Sequence, residues 1–296
     1  RGQVGEGGEM DLHVVGLRYW NDLRAEDAAV RIIEEGRKIC EDLADGQVSY
    51  GEPQFAEERR VADRVTNLGT YGGAVADEVA AGVRAGKRVV ALGSNCTVLP
   101  GILGGLQEAH GVGSRLGLIW FDAHGDFNTP NTTLSGMLGG MPVAVSAGLC
   151  YPGWREASHL VAPIPTDRIL MVDVRNLDQA EEQLIRATDV QIARVAPGYA
   201  GDLPLAEAVG DLAARCDALY LHIDSDILDE RLTPNHSTKE PNGPDVAETV
   251  AAYRTVLATG KVAAIGLVSV KSDGDGGDVS LATSLDMLRG ALGAWA

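Results

Sequence analysis

Short apolar runs alternate along this chain with longer segments whose apolar residues recur at helical spacing. Leu12 to Gly16, Lys87 to Leu92, Leu116 to Phe121, Arg168 to Val172, Ala218 to Ile223 and Val262 to Val270 read as strands. Each is short and rich in branched or aromatic residues. Ala25 to Asp45, Thr70 to Ala85, Pro100 to His110, Gln179 to Ala187, Leu205 to Arg215, Val246 to Ala258 and Ser284 to Leu292 read as helices. Continuously apolar strands separated by helices predict an α/β fold with a parallel sheet covered on both faces. Residues 11–296 show no repeat, long linker or low-complexity stretch and are expected to form a single domain. Residues 1–10, Gly- and Glu-rich, are expected to be a flexible tail or a cloning remnant.

Two apolar runs end in acidic clusters. Leu116 to Phe121 leads into Asp122-Ala123-His124-Gly125-Asp126, and Ala218 to Ile223 leads into Asp224-Ser225-Asp226. Residues two apart in an extended segment point to one face, so Asp122, His124 and Asp126 can converge, as can Asp224 and Asp226. Carboxylates at buried strand ends repel one another unless a cation neutralises them. Four carboxylates and an imidazole make a hard, oxygen-rich set that suits Mn²⁺ better than structural zinc or Mg²⁺. That many carboxylates can hold two ions, which together polarise a substrate and activate a water. The Thr/Gly/Pro-rich loops Phe127 to Pro142 and Asp229 to Pro244 follow the two clusters directly. Ligands of open parallel sheets bind beyond the carboxyl ends of strands, where clusters and loops both fall.

Bulk properties narrow the partners. The chain has 296 residues, 45% of them hydrophobic, and a formal net charge of −17. Such acidity disfavours nucleic acid and anionic membranes, since phosphate binding draws on Lys and Arg. Cys40, Cys96, Cys150 and Cys216 are widely spaced and form no CxxC pair, which fits a reducing compartment better than a disulfide framework. No apolar run is long enough to span a bilayer and no signal-peptide core is visible, so a cytoplasmic location is expected.

With these motifs the chain resembles the ureohydrolase family of arginases, agmatinases and relatives. The family Asp-Ala-His-x-Asp is matched by Asp122 to Asp126, and the Asp-x-Asp with a further Asp by Asp224, Asp226 and Asp229. Asn128-Thr129-Pro130 through Ser135-Gly136 resembles the loop that holds the amino-acid end of the substrate. Val174-Arg175-Asn176-Leu177-Asp178 resembles the loop whose Asp reads the substrate amino group. The resemblance implies a three-layer α/β/α fold with a mostly parallel sheet and two Mn²⁺ ions. Asp122 and Asp224 would bridge the ions, Asp126 would complete the first ion's set as part of the catalytic apparatus, and His124 and Asp226 would serve the second. Asn128, Ser135 and Asp178 would bind the α-amino and α-carboxylate groups of a guanidino amino acid.

The chain departs from the family pattern at three places. The family Gly-Gly-Asp-His is Gly93-Ser94-Asn95-Cys96, so a His ligand has become Cys96, a softer donor for Mn²⁺. The family Ser-Gly-Asn-x-His-Gly is Ser135 to Gly140, and its proton-shuttling His has become Gly139. His236, in the loop after Asp226, is the candidate replacement acid; His222, on the face of Asp224 and one layer below it, is another. Hydrophobic spacing aligns Lys271 with the family Glu that pairs with the guanidinium. These changes resemble the branch of the Nω-hydroxy-L-arginine hydrolase of D-cycloserine biosynthesis, which releases hydroxyurea and ornithine. An N-hydroxyl makes a guanidinium less basic, so a carboxylate partner is less needed and Lys271 less harmful. The expectation is a binuclear manganese amidinohydrolase acting on Nω-hydroxy-L-arginine. The rivals are a hydrolase of arginine or another amidine or amide, and a non-catalytic metal-binding homologue.

Overall fold

The structure, a computed structural model, describes residues 10–195 and 203–295. In chain order its strands and helices are β1 (Leu12–Leu17), β2 (Tyr19–Trp20), β3 (Leu23–Arg24), α1 (Arg31–Leu43), β4 (Val48–Gly51), α2 (Arg64–Arg84), β5 (Arg88–Gly93), α3 (Leu99–His110) and β6 (Leu116–Phe121). There follow α4 (Pro142–Ser146), α5 (Pro152–Ala157), β7 (Ile169–Val172), α6 (Gln179–Arg186), β8 (Gln191–Arg194), β9 (Leu203–Pro204), α7 (Leu205–Arg215), β10 (Ala218–Asp224), α8 (Val246–Leu257), β11 (Val262–Val268) and α9 (Gly277–Trp295).

Nine strands form one sheet in the order β4-β1-β5-β11-β10-β6-β7-β8-β9, every pairing parallel. Alternation along each strand divides the core in two. Val14, Ile119, Phe121 and Leu221 pack on one face with Ile32 and Ile33 of α1, Leu212 of α7, Val256 of α8 and Leu288 of α9. Val15, Leu118, Trp120 and Tyr220 pack on the other with Tyr71 and Val75 of α2 and Ile102 and Leu103 of α3. The result is the expected α/β/α layering. Each buried Leu, Ile or Phe contributes roughly 1.5–3 kcal/mol. Helices α2 and α3 approach closely because glycine stands at the contact: a Cβ on Gly101 would lie 2.5 Å from the Gly72 carbonyl oxygen.

The predicted boundaries shift in physically sensible ways. Helix α2 begins six residues before the predicted Thr70, because the Asp63 side chain caps the amides of Val65 and Thr66. The predicted helix from Ala25 opens instead with a 3₁₀ turn, Asp27–Val30. Met10, placed by sequence in the tail, is buried in the core and its amide donates to Asp45. The rest of the predicted tail, residues 1–9, lies outside the described residues. Strand β11 ends at Val268, two residues short of the prediction, because Ser269 turns into the left-handed region at φ 61°. No helix among the described residues is long and apolar enough to cross a membrane.

Candidate metal centre and active site

The carboxyl ends of four adjacent strands, β5, β11, β10 and β6, open into one cavity of about 540 Å³. Register sets the geometry: Phe121 pairs with Ile223, so Asp122 and Asp224 leave neighbouring strands side by side. Val268 pairs with Asp224, which brings Ser269 beside them. The chain must turn sharply at these ends. Gly93 ends β5 at φ 98°, where an added Cβ would meet the Leu17 carbonyl oxygen at 2.7 Å. Ser94, Asp126 and Ser269 all adopt positive φ, a cost that clusters at functional sites.

Cys96, Asp122, His124, Asp126, Asp224, Asp226 and His236, seven of the expected chemical residues, line this cavity. Cys96 Sγ lies 3.0 Å from Asp224 Oδ2, 3.6 Å from Asp122 Oδ2 and 3.5 Å from His222 Nε2. His124 Nδ1 lies 3.3 Å from Asp122 Oδ1 and 3.2 Å from Asp226 Oδ2. Its Nε2 faces Glu240 at 3.5 Å. His236 Nε2 is 3.5 Å from Asp224 Oδ1, buried, and makes no hydrogen bond. Three of the four ligand groups among the described residues in which one donor atom from each residue lies within 4.8 Å of the others fall at this cluster: Cys96, Asp122 and His222; Asp122, His124 and Asp226; Asp224, Asp226 and His236. Asp126 lines the cavity but belongs to none of them.

The electrostatics of this cluster call for a cation. Burial and mutual repulsion push Asp122 and Asp126 well above the usual carboxylate range. Burial, with the charge of Asp226, pushes Asp224 up to about 6. Burial also opposes ionisation of Asp226, but hydrogen bonding and attraction from His124 outweigh it and hold that carboxyl low. Burial alone would lower His124; its hydrogen bonds to Asp122 and Asp226 push it up to about 12 instead. Burial, then the Asp224 charge, pushes the Cys96 thiol up. A divalent ion would relieve all of these at once. The donor set fits one: the buried carboxylates of Asp122, Asp224 and Asp226, the Cys96 sulfur between two of them, and a His124 ring with one nitrogen toward carboxylates and the other toward Glu240. The last is the usual outer support of a metal-bound imidazole.

The opposite wall carries the residues expected to read an amino-acid end. Asn128 Nδ2 donates to Asp178 Oδ2 at 3.1 Å, and the Leu134 amide reaches the same oxygen at 3.4 Å. Ser135 lines the cavity beside them. Glu181, at the start of α6, accepts from the amides of Phe127 and Asp178 and so pins the 127–142 loop to the 174–178 loop. Burial pushes its carboxyl up.

Lys271, His222 and Asp229 are the sequence candidates that fall outside this lining. The Lys271 ammonium lies 5.6 Å from the centre of the Trp20 ring, and Trp20 is itself a lining residue. Ser269 takes the inward place, donating to Asp224 Oδ2 at 2.5 Å. His222 lies beneath Cys96, stacked on Trp120 at 3.9 Å and hydrogen-bonded through Nδ1 to Tyr220 at 2.9 Å. Burial pushes its pKa down to about 3. Trp20, Asn21, Asn95, Asn176, Glu181, Thr238 and Ser269 line the cavity without having been picked out as site residues. Of these, Asn95, Asn176 and Ser269 carried a usable signal: Asn95 and Asn176 stand in the segments 93–96 and 174–178 that resemble family motifs, and Ser269 lies two residues before Lys271 in the last predicted strand. Asp229, the last residue of the acidic motif, turns away and pairs with Arg231.

The arginase-family profile matches residues 29–291. The chain belongs to the arginase family. Arginase from Bacillus caldovelox is 29% identical over 216 residues, 70% of each chain. The N(omega)-hydroxy-L-arginine amidinohydrolase of Streptomyces lavendulae is 30% identical over 178 residues, 60% of each. The crystal structure of Bacillus cereus arginase superposes with a TM-score of 0.80 at 21% identity, covering 96% of this chain and 98% of that one, which establishes the common fold. Arginase-family members are hydrolases of amidino C–N bonds, and the family's metal dependence matches the ligand groups found here.

Proposed function

We propose that this arginase-family chain is a binuclear manganese hydrolase whose preferred substrate is Nω-hydroxy-L-arginine, giving hydroxyurea and L-ornithine. Position 139 carries the substrate reading. Gly139 lines the cavity opposite Asn95, where an added Cβ would lie 3.7 Å from the Asn95 amide nitrogen. An ionisable side chain is missing where the family keeps a proton-carrying His, and a substrate hydroxyl can occupy the space and bond to Asn95. The resemblance to the Streptomyces lavendulae amidinohydrolase supports the same reading.

Cys96, Asp122, His124, Asp126, Asp224 and Asp226 would hold the two ions. When bound, the ions would polarise the amidino group and make water a nucleophile near neutral pH. The remaining work falls to the chain. Asp178, held by Asn128, takes the α-ammonium group, while Asn128 and Ser135 take the α-carboxylate. His236 supplies the proton-donating group. The Thr238 amide, which can only donate, points at its Nδ1 at 3.3 Å. Its Nε2 stands beside Asp224 Oδ1 at 3.5 Å, buried and without a hydrogen bond. Lys271, over Trp20, places a positive charge near the rim that disfavours a fully charged guanidinium.

The test is product release by the Mn²⁺-loaded protein from Nω-hydroxy-L-arginine and from L-arginine. A strong preference for the hydroxylated substrate is expected. Equal rates would remove the case for selectivity. Turnover of neither would move the assignment to another amidine or to a non-catalytic role.

A further inference from the structure

We propose that His222 is a metal ligand, and that Cys96, His222, Asp122 and Asp224 form a four-coordinate site for a softer ion, Zn²⁺ or Fe²⁺. This ion would sit beside a Mn²⁺ ion held on the Asp122–His124–Asp226 side, so that the centre is mixed. The inference rests on the proposed two-metal reading, with Asp122 and Asp224 as ligands, and revises it in two respects: His222 takes the place of Asp126, and the softer ion takes the place of one Mn²⁺.

The geometry is specific. A tetrahedral ion with bonds of about 2.3 Å to sulfur and about 2.0–2.1 Å to nitrogen or oxygen holds those atoms about 3.5–3.6 Å apart. Cys96 Sγ is 3.5 Å from His222 Nε2 and 3.6 Å from Asp122 Oδ2. Asp224 Oδ2 stands closer, 3.0 Å from the same sulfur, and accepts from Ser269 Oγ at 2.5 Å, so it draws back from the sulfur to complete the set. All four residues are buried, and three of them form a group whose donor atoms lie within 4.8 Å of one another. Asp126 belongs to no such group.

The imidazole is also oriented for the task. Trp120 stacks on it with the planes 9° apart, and Tyr220 meets Nδ1 at 2.9 Å, so Nε2 is aimed at the sulfur. A hydrogen bond on the distal nitrogen is what supports a metal-bound His. Trp120 ties the two halves together, since its Nε1 donates to the His124 carbonyl at 3.0 Å. Thiolate and imidazole together favour Zn²⁺ or Fe²⁺ over Mn²⁺, while the carboxylate-rich partner site keeps the harder ion.

The experiment loads metal-free protein with equimolar Mn²⁺ and Zn²⁺, counts bound metals, and records the Co²⁺ absorption spectrum, in wild type, His222→Gln, Tyr220→Phe and Cys96→His. Wild type should retain one Zn²⁺ and one Mn²⁺ per chain, with the intense visible bands of four-coordinate Co²⁺ and a thiolate charge-transfer band. His222→Gln should keep the thiolate band, lose the four-coordinate bands and bind Zn²⁺ at least 10-fold more weakly. Tyr220→Phe should weaken Zn²⁺ binding by about 10–100-fold as an outer-shell change. It keeps the test open if His222→Gln fails to fold. Cys96→His should shift retention towards Mn²⁺. An unchanged Co²⁺ spectrum and Zn²⁺ content in both His222→Gln and Tyr220→Phe would overturn the proposal and leave His222 a packed core residue. Two Mn²⁺ ions in wild type with Zn²⁺ excluded would also overturn it, yet leave the manganese hydrolase reading intact. Failure to bind any ion would sink both.

Discussion

The neighbouring strands β6 and β10 run in register, and their two ends treat charge in opposite ways. At the entrance, Arg115 and Asp217 form an exposed ion pair, with Arg115 Nη2 donating to Asp217 Oδ1 at 2.5 Å and its amide donating to Oδ2 at 2.9 Å. Hydrogen bonds from Arg115 hold the Asp217 carboxyl down to about 2. At the exit, Asp122 and Asp224 stand together 1% and 3% exposed, and burial drives both up. The entrance pair adds a little stability in solvent. The exit pair opposes folding until a cation arrives, because removing like charges from water costs more than the hydrogen bonds from Ser269 to Asp224 and from the His124 amide to Asp122 return. One pair of strands thus carries an ordinary stabilising contact and a functional strain, seven residues apart on each strand.

The largest expected effect breaks the exit. Asp224→Asn should weaken metal binding by more than the roughly 10–100-fold typical of outer-shell changes and abolish turnover. The same change should raise the melting temperature of the metal-free protein, by about 2–4 °C for each 1 kcal/mol of repulsion relieved. Calorimetry of chelator-treated samples reads this directly. A lower melting temperature would mean that the carboxylates are not in conflict.

Next, His236→Gln should lower kcat by about 10²–10⁴-fold while metal content by elemental analysis stays near wild type. Loss of metal together with activity would make His236 a ligand rather than a proton donor. Glu240→Gln removes the group behind His124 and should cost about 10–100-fold in metal affinity with the fold intact, measurable by titration against a chelating dye. In the wild type, saturating the site at about 100 times Kd should stabilise the protein by about 2.7 kcal/mol, which chelation removes.

The smallest effect sharpens the comparison from the entrance. The folded carboxyl of Asp217 is depressed below its ordinary 3.8 to about 2. Its contribution is therefore present above pH 4 and lost as pH falls towards 2. Asp217→Asn should be slightly less stable than wild type at neutral pH, and the gap in melting temperature should close on acidification. A gap that widens instead would show that Arg115 and Asp217 do not act through charge.

Periodicity was enough to find the buried strands, since a parallel strand covered on both faces is apolar throughout. It missed β4 and β8 because these lie toward the sheet edges and carry Ser49, Gln191 and Arg194 among few apolar residues. It also carried β11 through to Val270, because hydrophobic spacing does not register a positive φ at Ser269. That single turn decides that Ser269 reaches Asp224 and that Lys271 lies instead over Trp20.

The ligand types were legible in the chain because Asp122, His124, Asp126, Asp224 and Asp226 stand at strand ends at two-residue spacing, and local geometry alone makes such residues converge. Cys96 was legible only through the motif around it. Which residues meet was decided by the sheet. β10 and β11, last in sequence, insert between β5 and β6, so Cys96, Ser269, Asp224 and Asp122 become neighbours across four strands. His222 meets Cys96, and Glu240 meets His124, for the same reason. Strand order and register are set by burial over the whole sheet, and no local pattern along the chain encodes them.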